Sequence, residues 1–161
     1  MDLTAVPGIN VLTGHPILTE VVGPDLSGFR SASAFASWLG LCPDNEKSGG
    51  KVLSVRTRKV NSRAALAFRL AANTLHRNKS WLGDYYRRMR AKPGAPKAIT
   101  AAAHKLARIV YLLLTTHQPY DHSIYAKYQQ QSRARATAKL KKQAIFLGFQ
   151  FVPMHATPAA H

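Results

Sequence analysis

The sequence has few acidic residues, almost no cysteine and no long apolar run. Cys42 is the single cysteine, which excludes an internal disulfide and is typical of a reducing compartment. The longest strongly apolar run, residues 109–114, is far shorter than the roughly 20 residues that a membrane span needs. The first residues lack the basic and apolar segments of a signal peptide, and no Cys/His cluster has zinc spacing. These absences favour a cytoplasmic protein with no membrane partner and no metal ligands of its own.

Basic residues are what the sequence has in excess. Twenty-three Lys and Arg face seven Asp and Glu, so the formal net charge is +16. Residues 1–50 carry two basic and five acidic residues, whereas residues 51–161 carry twenty-one and two. An excess this large favours a polyanionic partner, and nucleic acid fits better than a membrane surface. The simpler alternative is that these charges only line solvated helix faces.

Apolar periodicity and helix-cap residues predict a mainly α fold. Helices are expected at residues 11–22, 32–39, 62–76, 81–91, 96–116 and 123–147, with N-caps at Ser31 and at Asn61 or Ser62. Residues 41–50 predict a long loop, and residues 51–60 a short extended segment. The expected organisation is a compact helical domain at residues 3–122, a basic helical arm at residues 123–152 and a disordered tail at residues 153–161.

Seven segments, in this order, resemble one protein family. They are residues 6–10 (VPGIN), 29–43 (FRSASAFASWLGLCP), 47–51 (KSGGK), 57–63 (TRKVNSR), 82–90 (LGDYYRRMR), 104–114 and 119–121 (PYD). The chain resembles the C-terminal transposase domain of the insertion-sequence one-ten family, which is related to the Piv-type DNA invertases. The resemblance covers roughly residues 3–122.

The resemblance implies a recombinase that is assembled from two domains. Members have an N-terminal RuvC-like domain, whose four acidic residues bind divalent metal, and a helical C-terminal domain that supplies a serine nucleophile. Nothing in this chain resembles the RuvC-like part, so Mg²⁺ and that domain are expected as external requirements, and no cofactor is expected within the chain. DNA, a homo-oligomer and, in some members, a guide RNA are the implied partners, and the expected location is the bacterial nucleoid.

The resemblance places the nucleophile at Ser48. Gly49 and Gly50 remove neighbouring side chains, so backbone amides could approach a phosphate oxygen. Lys47 and Lys51 flank the serine, and positive groups stabilise the charge of a transferring phosphoryl group. From the residues alone, a flexible surface turn is the simpler interpretation. Adjacent tyrosines at positions 85 and 86 could suggest a tyrosine recombinase, but they are more typical of helix packing.

Further candidate phosphate contacts form basic groups along the chain. They are Arg56, Arg58, Lys59 and Arg63, which are expected beside the serine, Arg87 and Arg88 in a predicted helix, and Arg133, Arg135, Lys139, Lys141 and Lys142 on the arm. Gly8 and Ile9 resemble the hairpin of a helix-hairpin-helix module, in which backbone amides hold a phosphate.

The predicted function is therefore DNA transposition or site-specific recombination. The chain would be its DNA-binding, serine-nucleophile half and would be an incomplete enzyme alone. The alternative is a non-catalytic basic helical module that binds DNA or RNA, as a truncated transposase remnant.

Overall fold

The computed structural model describes residues 2–21, 26–49, 51–92, 94–121 and 123–150. These residues form one two-stranded sheet and six α-helices, which confirms the prediction of a mainly α fold. The helices are α1 (Val11–Val21), α2 (Ala32–Trp38), α3 (Arg63–Thr74), α4 (Trp81–Ala91), α5 (Ala95–Thr116) and α6 (Ile124–Phe146). The strands are β1 (Pro43–Ser48) and β2 (Lys51–Thr57). The chain divides into two units, one ending at Asp121 and the other beginning after it.

Side chains at the helix starts explain several of the boundaries. Ser31 accepts a hydrogen bond from the Ala34 amide at 3.2 Å, and Ser62 accepts one from the Ala65 amide at 3.0 Å. Both satisfy amides that a helix leaves without an internal partner. The carboxylate of Glu20 in α1 accepts a hydrogen bond from the Ala64 amide, and so places a negative charge at the positive end of α3.

The core of the first unit is built around α5. This helix packs against α2, α3 and α4, while α1 packs against α3. Large side chains such as Phe35, Phe68 and Leu106 are fully buried. The buried residues of α3 and α5, however, are mostly small. They are Ala64, Ala65, Ala67, Ala71 and Ala72 in α3, and Ala98, Ala102, Ala103 and Ala107 in α5.

Helix α5 is also long and apolar enough to cross a bilayer by length and composition. It is at the same time the helix that three others cover, and Leu106 and Val110 are completely buried within the unit. Such a helix satisfies the same criteria as a membrane span because a core helix is apolar over most of its surface. An apolar run such as residues 109–114 predicts burial on all sides, but this is wrong at Leu112, which is 52% exposed.

The prediction of a loop at residues 41–50 is wrong, because β1 and β2 form an antiparallel hairpin. The register runs from the pair Pro43 and Thr57 to the pair Ser48 and Lys51, with an irregularity between Glu46 and Lys47. The short extended segment expected in residues 51–60 corresponds to β2. The second unit contains α6, and the tail predicted at residues 153–161 lies outside the described residues.

Candidate nucleic-acid interface

Ser48 lies at the tip of the β1–β2 hairpin. It is the last residue of β1, its Cα is opposite that of Lys51, and the serine is exposed. Only residues 49 and 50 separate the two strands, as in the tightest class of hairpin. The predicted nucleophile therefore lies at the end of β1, directly before the turn of the hairpin.

Gly49 keeps the space beside Ser48 open. Its φ of 55° lies in the left-handed region, which glycine adopts without steric cost. A Cβ built on Gly49 would meet no other heavy atom within 4 Å. The turn conformation alone is sufficient to explain a glycine here, and the open space adds room for a ligand. Gly50 and the side chains of Lys47 and Lys51 lie outside the described residues, although the backbones of both lysines belong to the strands.

Arg56 and Arg58, from the basic group predicted after the serine, are not beside Ser48. Arg56 is opposite Asp44, four residues from Ser48 along β1, which corresponds to roughly 13 Å. Arg58 donates a hydrogen bond to the Ser37 carbonyl at 3.0 Å, where α2 ends, and thus attaches the hairpin to the helical core. Lys59 and Arg63 are exposed further along the chain. Arg56 and Arg58 therefore lie at the base of the hairpin, whereas the sequence had suggested a position beside the serine.

Arg87 is bound into the fold. Its guanidinium donates to the His76 carbonyl at 3.2 Å and to the Asn78 carbonyl at 2.8 Å, and it forms an ion pair with Asp84. These contacts join α4 to the turn that precedes it. Arg88 is exposed on the same helix and adds to the positive field around Lys105. Of the two predicted phosphate contacts, Arg87 therefore has a structural role within the fold. Arg88 lies near Lys105, which is another cation.

Gly8 and Ile9 form a turn that packs on α3. The Ile9 amide donates to the Val6 carbonyl at 3.0 Å, and the Ile9 side chain is buried. Gly8 has a φ of 92°, and its carbonyl accepts a hydrogen bond from Thr74 at 3.1 Å. The Ile9 amide, which was predicted to hold a phosphate, therefore already donates a hydrogen bond within the turn that joins the chain to α3.

Sequence reasoning did not select the cationic cluster between α4 and α5. The Lys105 ammonium lies 5.2 Å from the centre of the Tyr85 ring and 5.6 Å from that of Trp81, both within cation–π range. Trp81 Nε1 donates to Tyr120 Oη at 2.8 Å, and burial raises the pKa of Tyr120. The spacing of residues 97, 104, 105 and 108 on one helix face was the available signal.

Like charges make this cluster electrostatically unfavourable on its own. Burial lowers the pKa of Lys105, and Arg108 and Arg88 lower it further. Burial also lowers the pKa of His104, with added contributions from Arg108 and Lys105. Both shifts mean that the folded protein resists taking up more positive charge here. An anion at this position would relieve that repulsion.

The sequence model of the transposase IS116/IS110/IS902 family matches residues 2–87, slightly more than half of the chain. The chain belongs to this family. The family prediction made from the seven segments is therefore confirmed. The match covers the Gly8 turn, the whole β1–β2 hairpin and α4 as far as Arg87.

A relative of this transposase-family chain gives the same assignment. A protein of Sinorhizobium fredii (strain NBRC 101917 / NGR234), named "Putative transposase y4pF/y4sB", is 30% identical over 129 residues. The aligned part is 73% of this chain and 32% of the relative, so the chain spans about a third of that protein's length. No solved structure gives a significant match.

A divalent metal site was expected outside this transposase-family chain. In the described parts of the chain, no three His, Cys, Asp or Glu side chains form a group that could hold a metal ion. The residues present therefore do not fit the Mg²⁺ that the family resemblance implies. The requirement for Mg²⁺ on another domain stays a prediction, and no chemical step of this chain is derived through it.

Proposed function

We propose that this chain is the DNA-handling, serine-nucleophile part of its transposase, and that it works with a RuvC-like domain. Family membership establishes transposition as the activity of the group. The observation that carries the finer proposal is the position of Ser48, which is exposed at a hairpin tip beside a glycine with open space around it. A nucleophile needs this access to reach a phosphorus atom in a bulky DNA backbone.

The proposed step transfers one DNA end to the serine. Ser48 Oγ forms a bond to phosphorus, the bond from phosphorus to the departing deoxyribose oxygen breaks, and that oxygen takes up a proton. The serine proton must pass to a base. Asp44 lies roughly 13 Å down the hairpin, opposite Arg56, and is too distant for direct transfer. The base is therefore expected on the partner domain. The reverse attack by a DNA hydroxyl rejoins the strand and releases the serine.

The experiment is a denaturing gel that detects a covalent protein–DNA adduct. The chain is incubated with nicked element-end DNA, Mg²⁺ and the RuvC-like domain, with and without the RNA of the element. Ser48→Ala is compared with Ser33→Ala, which makes the same chemical change at an exposed serine of α2. An adduct with the wild type and with Ser33→Ala, but not with Ser48→Ala, supports the proposal. Light scattering of the same mixture tests the expected homo-oligomer.

A non-catalytic binding module is the second candidate function. The observation that favours it is that Arg56 lies at the base of the hairpin, away from Ser48, and that Lys105 lies between α4 and α5. That distribution suits binding without chemistry. Under this alternative, the wild type binds DNA in a salt-sensitive way but forms no adduct, while a full-length relative forms one in the same buffer. An adduct that persists in Ser48→Ala would assign the nucleophile to another residue.

A further inference from the structure

A cleft opens between the base of the hairpin and helices α4 and α5. Its volume is about 630 Å³, within the range of clefts that bind small organic ligands. Pro43 and Arg56 border it from the two strands, Tyr85 and Met89 from α4, and Ala101 from α5. None of these residues was predicted to form a pocket, because they come from segments that are far apart in the sequence.

The floor of this cleft is apolar, and one wall is aromatic. Leu41, Met89 and Ala101 provide aliphatic surface, and Tyr85 provides a ring. The Lys105 ammonium lies 5.2 Å from the centre of that ring, so a cation supports Tyr85 from the α5 side. A flat, weakly polar group such as a nucleobase stacks well on a surface of this kind.

The remaining side chains of the cleft select for an anion. Arg56 and Lys97 are exposed at its border, and His104 is half-buried within it. No acidic residue is found among the described residues that line it. Burial and the neighbouring Arg108 and Lys105 lower the pKa of His104 and so favour the neutral imidazole. A neutral imidazole can donate or accept a hydrogen bond, as the edge of a base requires.

We propose that this cleft binds an unstacked nucleotide of a single DNA strand, with its base on Tyr85 and its phosphate at Arg56 and Lys97. A lipid headgroup would use the cations but not the aromatic wall, and a neutral apolar ligand would leave the cations unused. The cleft and the Ser48 tip share the hairpin, but binding here does not depend on the serine chemistry. Failure of one proposal therefore leaves the other standing.

The test is a binding cycle with two oligonucleotides and the full 161-residue chain. One is a short single-stranded oligothymidine with a central 2-aminopurine, and the other has an abasic residue at that position. Affinity is measured for both at one salt concentration, and the 2-aminopurine fluorescence reports stacking. The wild type is expected to prefer the base by between about 5- and 150-fold, which is the range for one stacked base. Its fluorescence should fall on binding.

Two variants address the cleft by different routes. Tyr85→Leu keeps apolar volume but removes the aromatic ring, whereas Ala101→Phe fills the cleft and removes no lining group. In both variants, the ratio of the affinity for the 2-aminopurine oligonucleotide to that for the abasic one should approach one. Lys97→Gln should weaken both oligonucleotides equally, and by more than Lys79→Gln, which makes the same change at an exposed lysine outside the cleft. Unchanged thermal unfolding verifies that each variant is folded.

Three outcomes would overturn the proposal. The first is a wild type that does not distinguish the base from the abasic residue. The second is full retention of the preference in folded Ala101→Phe and Tyr85→Leu. The third comes from the same oligonucleotides made as RNA: tighter RNA binding, with the preference for the base kept, would replace DNA by RNA as the ligand of the cleft.

Discussion

Replacing Gly83 by alanine is expected to destabilise the first unit strongly, although Gly83 lies in a regular helix. A Cβ at this position would be 2.0 Å from the Asn78 carbonyl oxygen and 3.0 Å from that of Leu75. Unstrained carbon–oxygen contacts are about 3.3 Å or longer, so the start of α4 must move by more than an ångström. The atoms in the way belong to the backbone, and no side-chain rotation can relieve the clash.

The size of the effect follows from what that movement breaks. Overpacking typically costs about 1–3 kcal/mol. The movement also separates Arg87 from the carbonyls of His76 and Asn78, and hydrogen bonds of a charged group contribute roughly 1.5–3 kcal/mol each. Even if these hydrogen bonds are lost only in part, the free energy of unfolding should fall by about 3–5 kcal/mol, compared with a typical total of about 5–15 kcal/mol. The melting temperature should fall by roughly 10 °C or more.

Urea unfolding and calorimetry of Gly83→Ala measure this directly. The matched control is Gly49→Ala, in which the new methyl group meets open space and only the positive φ is unfavourable. The control should lose about 1–2 kcal/mol. If Gly83→Ala unfolds within about 0.5 kcal/mol of the wild type, the close approach of α4 to the preceding turn is wrong. The cleft that α4 borders would then need to be reconsidered.

Two other predictions concern charge. The pKa of His104 is lowered in the folded state, so the unfolded chain binds a proton more readily, and the free energy of unfolding should rise with pH just below about 6.5. In His104→Gln, the melting temperature should depend less on pH across that window, whereas His76→Gln, at an exposed site, should leave the dependence unchanged. Replacing Arg133, Arg135 and Lys139 of α6 by glutamine should reduce the slope of log affinity against log salt for duplex DNA by about 2.7 if each contacts a phosphate. Replacing Gln130 and Gln131 by alanine is the control, and an unchanged slope in the triple variant would exclude the arm from the interface.

Local signals in the sequence were sufficient to predict the helices. Helix α4 occupies residues 81–91 as expected, and Ser31 and Ser62 cap the helices they were predicted to cap. The periodicity and the caps are properties of a few consecutive residues, so no distant contact is needed to interpret them. The same holds for α6, whose predicted extent of residues 123–147 nearly equals the observed Ile124–Phe146.

Strand β1 and the cleft were not predicted, because both depend on contacts between residues that are far apart in the sequence. Asp44, Asn45 and Glu46 are typical turn residues, and they become a strand because β2 provides hydrogen-bond partners. The cleft combines Arg56 with Tyr85 and His104 from three separate elements, which only the packing of α4 on α5 brings together. The expectation that Arg56 and Arg58 would lie beside Ser48 was made from their closeness in sequence, and the antiparallel register separates them.

The alanine-rich buried faces of α3 and α5 have a consequence for how this chain can change. A buried alanine has almost no side chain to lose, so mutation can leave no large cavity there. Nearly every substitution except glycine must add volume to a closely packed contact, which is destabilising. Neutral variation at this contact should therefore be rare. Sequence divergence is expected on the outer faces, which include the hairpin tip, the cleft border and the basic arm, while the scaffold stays constant.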